Sequence, residues 1–161
     1  MTNQSTTRRG VTSLEVVMAV SIAGVIIAYA GNVIAQFVSS ARDVTSQTQA
    51  LYLAEEGLEL IRFIRDEDWS DITSLPLATT RYLNITATDI EPSTSPEIIG
   101  DFTRSFQVTN VYRNSSTDDI VASTTGGSVA DPDSKYVTVS VSWDTPTTTV
   151  SLTSILTNIS P

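Results

Sequence analysis

Any catalytic chemistry in this chain would come from carboxylates or from a Ser-Lys pair. It holds no His and no Cys, which removes the commonest general base and metal ligand, any disulfide framework and any thiolate zinc site. Lys135 is the only lysine and lies in the turn-like "DPDSK", a poor setting for a Ser-Lys hydrolase. Asp66 and Asp68 could do hydrolytic work if a cleft surrounded them. Asp118, Asp119, Asp131 and Asp133 fall in one loop-like stretch and could meet a calcium ion, which takes carboxylate and carbonyl oxygens, but their spacing matches no ligand pattern. The acid that stands apart is Glu15, inside "RRGVTSLEVVMAV" (8 to 20), where an apolar run begins and the next charge is Arg42.

The element that carries Glu15 is legible from length. Val16 to Val38 is free of charge, and as a helix it spans about 34 Å at ~1.5 Å per residue, against a hydrocarbon core of ~30 Å. Arg8 and Arg9 on its N-terminal flank orient it by the positive-inside rule, keeping residues 1 to 10 cytoplasmic and sending the rest outward. An ordinary cleaved secretory signal competes, with Ala28-Tyr29-Ala30 as its small-x-small site. Against it, the apolar run continues through "GNVIAQFV" and Glu15 interrupts the start of the h-region. A twin-arginine export signal would need strongly apolar residues where Gly10, Thr12 and Ser13 stand, and a plain single-pass anchor stays open.

A short basic leader ending in Gly10, a start at Val11, Glu15 five positions after the glycine and a long apolar helix behind it resemble the class III signal of type IV prepilins and pseudopilins. The resemblance covers residues 8 to 40 most closely, extends over 41 to 68 and is architectural beyond residue 70. It implies that a prepilin peptidase cuts between Gly10 and Val11 and N-methylates Val11, and that Glu15 is the acid that guides assembly. Two departures stand out. Val11 replaces the usual Phe or Met, and no proline occurs some twenty residues into the helix, where Gly31-Asn32 stands.

Physical chemistry supports the same reading of Glu15. A carboxylate in a transmembrane helix costs about 2.5 to 3.5 kcal/mol on insertion scales, so it calls for a partner. Cleavage after Gly10 creates one: the Val11 ammonium lies one turn away in the same subunit and can also be offered to a neighbour. An unpaired buried charge opposes any slip between stacked helices, so such a pair sets register as well as affinity. A Glu that snorkels to the headgroups is the plainer alternative.

No proline occurs between Met1 and Pro76, so the helix is free to continue past the membrane. "ARDVTSQTQALYLAEEGLELIRFIRDEDW" places Leu51, Ala54, Leu58 and Ile61, with Leu53, Leu60 and Ile64, on a wide apolar stripe. A helix from about Val11 to Asp66 would extend on the order of 80 Å. Glu55, Glu56 and Glu59 ahead of Arg62 and Arg65 read as a solvated face, and "LYLAEEGLELIRFIRD" resembles minor pilins and minor pseudopilins more than major ones. After "DEDWSDITSLP" the period changes. Val137, Val139, Val141 and Trp143 alternate with polar residues, "DTP" makes a turn, and "TTTVSLTSIL" returns with Val150 and Leu152 inward, giving a hairpin over 135 to 157. Residues 81 to 88 and 102 to 113 are weaker strands, with loops at 89 to 101 and 115 to 134. The sequons at Asn84, Asn114 and Asn158 read as chance in so Ser/Thr-rich a chain.

The expected fold is α+β: a cytoplasmic leader (1-10), a transmembrane assembly helix (11-40), an amphipathic spine (41-71) and a small antiparallel β-sheet head packed on that spine (72-161). Setting aside Glu15 and the Arg8-Arg9 pair from 18 acids and 9 bases leaves 17 against 7 over residues 42 to 161, a net charge of −10. Such a head repels phosphate backbones, so no direct nucleic-acid partner is expected. The resemblance implies other pilin subunits, a prepilin peptidase, an inner-membrane assembly platform and membrane lipid as partners, with no cofactor and no catalysis. It also implies a cytoplasmic-membrane protein that ends in a fibre outside the cell. An exported binding module on a single-pass anchor is the other class of function, and an exported carboxylate hydrolase a third. Sequencing of the mature N-terminus separates the readings. A start at methylated Val11 is expected, whereas a start at Gly31 would mean a signal peptide and an uncut Met1 or Thr2 a plain anchor.

Overall fold

A computed structural model describes residues 12-86, 88-143 and 148-159. Arg8, Arg9, Gly10, Val11 and the expected "DTP" turn lie outside the described residues. Helix α1 spans Ser13–Glu67, and the chain divides into two compact units, Met1–Thr45 and Ser46–Pro161.

In the first unit the described chain is helix with a short lead-in, and every side chain from Thr12 to Thr45 is exposed. This stretch includes Val16, Val20, Ile26, Ile34 and Phe37, and it is long and apolar enough to cross a membrane. A soluble helix buries an apolar face against its own chain; among the described residues this one has no such face covered.

The second unit is a β-sheet laid on the C-terminal part of α1. After α1, Asp68 caps a short helix α2, Trp69–Thr73, by accepting a hydrogen bond from the Ser70 N–H at 2.8 Å. Among the described residues six strands follow: β1 Tyr82–Ile85, β2 Ile90–Ser93, β3 Glu97–Ile99, β4 Phe102–Asn114, β5 Ser128–Trp143 and β6 Thr148–Thr157. β3-β4-β5-β6 form an antiparallel sheet in sequence order, and β1-β2 a separate hairpin. The hairpin joins the edge of β4 through an Arg81–Phe106 bridge. Alternation decides the faces. Val137, Val139 and Val141 of β5 and Phe106 and Val108 of β4 turn inward onto Ala50, Ala54, Leu58, Ile61 and Ile64 of α1, and Leu156 closes the core from β6. Trp143, Val150 and Leu152 pack at its margin, half-buried.

Local corrections follow from the geometry. The stretch 89 to 101, expected as a loop, contains β2 and β3, which is antiparallel to β4. The loop expected over 115 to 134 ends early, because β5 starts at Ser128. The turn-like residues survive inside that strand as a bulge: between the pairs Asn110–Lys135 and Tyr112–Ala130, the segment Asp131 to Ser134 faces the single residue Val111. Pro132, which has no N–H for a ladder, is accommodated there. Leu51 is on the exposed side and Ala50 takes the buried place, so the helix meets the sheet through small residues.

That close approach depends on Gly57. A Cβ built there would stand 2.9 Å from Arg104 Cδ and 3.0 Å from Val139 Cγ1. Both neighbours are fixed, Val139 in the ladder and Arg104 by its own hydrogen bonds, so neither can give way. Overpacking costs about 1–3 kcal/mol, and Ala gains at most about 1 kcal/mol over Gly from helix propensity. Gly57→Ala is therefore expected to lower the melting temperature of the chain and Gly57→Val to lower it further, read by circular dichroism; an Ala variant more stable than the parent would contradict this packing.

Candidate functional site

The residues that carry function by sequence are those at the start of α1. Thr12 precedes the helix; its carbonyl accepts hydrogen bonds from the Glu15 N–H at 3.0 Å and the Val16 N–H at 3.2 Å. Its hydroxyl accepts from the Glu15 N–H at 3.4 Å. Thr12-x-x-Glu15 is a capping-box pattern, a signal present in the sequence and missed there. Glu15 thus lies in the first turn, where the positive end of the helix dipole favours an anion. Its carboxylate is exposed and has no hydrogen-bond or ion-pair partner among the described residues. Polar side chains deeper in the apolar stretch are satisfied differently. Ser21 Oγ donates to the Val17 carbonyl at 2.8 Å and Asn32 Nδ2 to the Ala28 carbonyl at 3.2 Å. These groups are compatible with hydrocarbon because their donors are used within the helix. A carboxylate has no such option.

The second unit handles a buried charge within itself. Arg104 on β4 has a side chain 1% exposed. Its Nε donates to Glu97 Oε2 at 2.9 Å and its Nη2 to Glu97 Oε1 at 2.6 Å, a bidentate pair across β3 and β4. Nη1 donates to the Leu53 carbonyl at 3.0 Å and lies 3.5 Å from Glu56 Oε1, so the guanidinium also ties the sheet to α1. Burial pushes the Arg104 pKa down and the carboxylates of Glu97 and Glu56 push it up, with a net rise. Glu56 is accordingly more than part of a solvated face. Glu59 pairs with Arg62, as the spacing suggested, and Arg65 pairs with its sequence neighbour Asp66.

The acids proposed for chemistry are placed elsewhere. Asp66 pairs with Arg65 and Asp68 caps α2. Lys135 Nζ donates to Asn110 Oδ1 at 2.6 Å. Asp131 accepts from Arg113 Nε at 2.7 Å and from the Asp133 N–H at 2.9 Å, holding the β5 bulge, while Arg113 Nη1 donates to the Asp118 carbonyl. Among the described residues, no three Asp or Glu side chains gather as a metal site requires. Asn114 turns its side-chain oxygen to the Ser116 and Thr117 N–H groups, and Asn84 is exposed on β1. An open groove of about 680 Å³ passes Leu77, Tyr112, Ile120, Val121 and Tyr136, and no charged side chain lines it.

No family model, curated protein or solved structure matches the chain. The functional reading therefore rests on the helix itself.

The bulge gives a pH prediction. The hydrogen bond from Arg113 lowers the Asp131 pKa below its ordinary value, against a smaller opposing effect of burial. A carboxyl depressed in the folded state contributes stability that is present above its unfolded pKa of roughly 3.9 and is lost as pH falls through the folded value. Thermal stability of the parent is expected to decline on acidification below about pH 4, and that of Asp131→Asn to decline less steeply over the same range. Parallel declines would contradict the assignment.

Proposed function

We propose that this chain is a structural subunit, of minor-pilin or pseudopilin type, of a pilus-like or type II secretion-like fibre. A prepilin peptidase cuts it between Gly10 and Val11, and it assembles through its N-terminal helix. The observation that carries the reading is the carboxylate of Glu15, without a partner among the described residues, in the first turn of a helix whose side chains are exposed from Thr12 to Thr45. Both features ask for the same remedy, a neighbouring helix that covers apolar surface and brings a cation. The Val11 ammonium made by cleavage is that cation, offered by an adjacent subunit inside an apolar fibre core. The cytoplasmic membrane holds the subunit before assembly, with Arg8 and Arg9 keeping its N-terminus inside. The outward head, with its neutral groove and acidic surface, is what the fibre displays.

The Thr12 cap gives a second reading its own observation. Glu15 would complete a capping box on a simple single-pass anchor that carries an exported binding module. Gln serves a capping box as Glu does, but carries no charge. For Glu15→Gln the fibre reading expects normal cleavage, normal membrane insertion and loss of incorporation into fibres, scored by immunoblot of sheared fibre and membrane fractions. Incorporation at the parental level would leave the cap as the whole role of Glu15.

A further inference from the structure

The groove beside Tyr112 and Tyr136 is assembled by an irregularity in the sheet. Thr109 pairs with Tyr136 across β4 and β5, and Tyr112 pairs with Ala130 beyond the bulge. Thr109 and Tyr112 stand three apart in sequence, so in a regular strand they would point to opposite faces. The bulge brings both to one groove, the re-aiming of a side chain that bulges commonly perform beside sites. A second wall, residues 120 to 123, is tied down as well. Ile120 bridges to Arg113, the Val121 N–H donates to the Tyr112 carbonyl at 2.9 Å, and the Asn114 N–H donates to the Asp119 carbonyl at 2.9 Å. The groove is therefore formed before any ligand arrives. Its volume of about 680 Å³ falls within the roughly 300–1,000 Å³ of small-molecule sites.

We propose that this groove binds a neutral saccharide from the aqueous side. Its polar groups choose the ligand. Lys135 Nζ donates to Asn110 Oδ1 at 2.6 Å; a lysine ammonium only donates, so it fixes the amide oxygen and leaves the NH2 of Asn110, itself a lining residue, as a free donor. Thr109, Tyr112, Ser123 and Tyr136 also line the groove, and none of their hydroxyls has a hydrogen-bond partner among the described residues. A hydroxyl both donates and accepts, so this set suits a ligand that is itself covered with hydroxyls. Tyr112 and Tyr136 are half-buried and, with Leu77 and Val121, supply flat and aliphatic surface for the C–H face of a sugar ring, at little cost in conformational entropy. Other occupants fit less well. A wholly apolar ligand would leave these donors and acceptors buried and unpaired. A phosphate or carboxylate finds no cation among the lining residues and meets the net charge of −10 on residues 42 to 161; a cation finds no carboxylate there. An added peptide strand has no open rung at this edge, because the Tyr112 carbonyl and the Asn114 N–H are already paired with residues 119 to 121. This inference does not depend on fibre assembly.

Saturation-transfer difference NMR on the full-length chain in phosphatidylcholine liposomes tests the site, with cellobiose, maltose, lactose and chitobiose as probes. The expected result is transfer to the ring C–H protons of at least one of these sugars. Tyr136→Thr and Tyr112→Leu should each cut that transfer several-fold, and Gln107→Ala, at an exposed residue of β4 outside the groove, should leave it unchanged. Tyr136→Thr continues the alternation of Thr138, Ser140 and Ser142 along β5, so the sheet is expected to persist, as circular dichroism would report. Transfer to none of the sugars, equal transfer in the parent and both tyrosine variants, or stronger transfer to sialyllactose than to lactose overturns the proposal. Loss of the signal on adding a small fraction of the corresponding glycolipid to the liposomes also overturns it, since the ligand would then be a lipid headgroup.

Discussion

The buried guanidinium of Arg104 is the interaction on which the head depends. Its side chain is 1% exposed, and three groups from two other elements answer it: Glu97 from β3, the Leu53 carbonyl and the Glu56 carboxylate from α1. A charge withdrawn from water to this extent is costly unless its donors are used. The need for that answer fixes several things together. It holds β3 in register beside β4, it brings α1 down on the sheet where the helix offers Ala50, Ala54 and Gly57, and it excludes any side chain at Gly57. The valine face of β5 then packs around a point already fixed by hydrogen bonds. Replacing Arg104 would leave Glu97 nearly buried without its cation, so the pair contributes specificity of arrangement at least as much as net stability.

The same physics, unanswered, governs the other end of the chain. Glu15 is a carboxylate at the head of an apolar helix, and none of the described residues pairs with it. Ser21 and Asn32 show how this helix satisfies polarity when it can, by returning donors to its own carbonyls. A carboxylate is an acceptor and cannot use that route, so only N–H groups or a cation serve it. The helix start supplies partial positive charge through its dipole and the Thr12 cap, worth some tenths of a kcal/mol to about 1 kcal/mol. At the centre of a membrane helix a charge costs about 2.5 to 3.5 kcal/mol on insertion scales, and enclosing Glu15 in an apolar fibre core would meet a penalty of that kind. The difference is what a cation from a neighbouring subunit would offset, and it is the energetic reason to read the helix as an assembly element.

How much of this was legible in the sequence follows from which signals are local. The charge-free run from Val16, the stripe through Leu58 and Ile61, and the alternation of Val137, Val139 and Val141 are periodic and long, and the helix and hairpin follow them. β2 and β3 were hidden because "IEPS" and "EII" are short and flanked by Ser and Pro, so tertiary pairing with β1 and β4 makes them strands. At its start the buried stripe is one residue out of phase with the sequence expectation, Ala50 lying inward in place of Leu51, because close helix–sheet approach favours a small side chain. Arg104 shares the inward parity of Phe106 and Val108 in "FTRSFQVTNVYR", yet its type argued against burial; its partner Glu97 is near in sequence but sits on β3, a strand the sequence does not mark, and Leu53 and Glu56 lie far off. The Thr12-x-x-Glu15 cap was local and could have been found. Nothing local marks the groove at Tyr112 and Tyr136, since the bulge that turns Thr109 and Tyr112 to one side is defined only once β4 and β5 are paired.

The central claim is that the charge of Glu15 is answered between subunits. The most direct measurement is a cryo-electron microscopy structure of fibres that contain this chain, resolved well enough to see side chains in the helical core. The account predicts the Glu15 carboxylate within about 4 Å of the Val11 amine of an adjacent subunit, the reach of an ion pair, with both groups shielded from water. A Glu15 carboxylate that faces solvent or pairs solely within its own chain would contradict it.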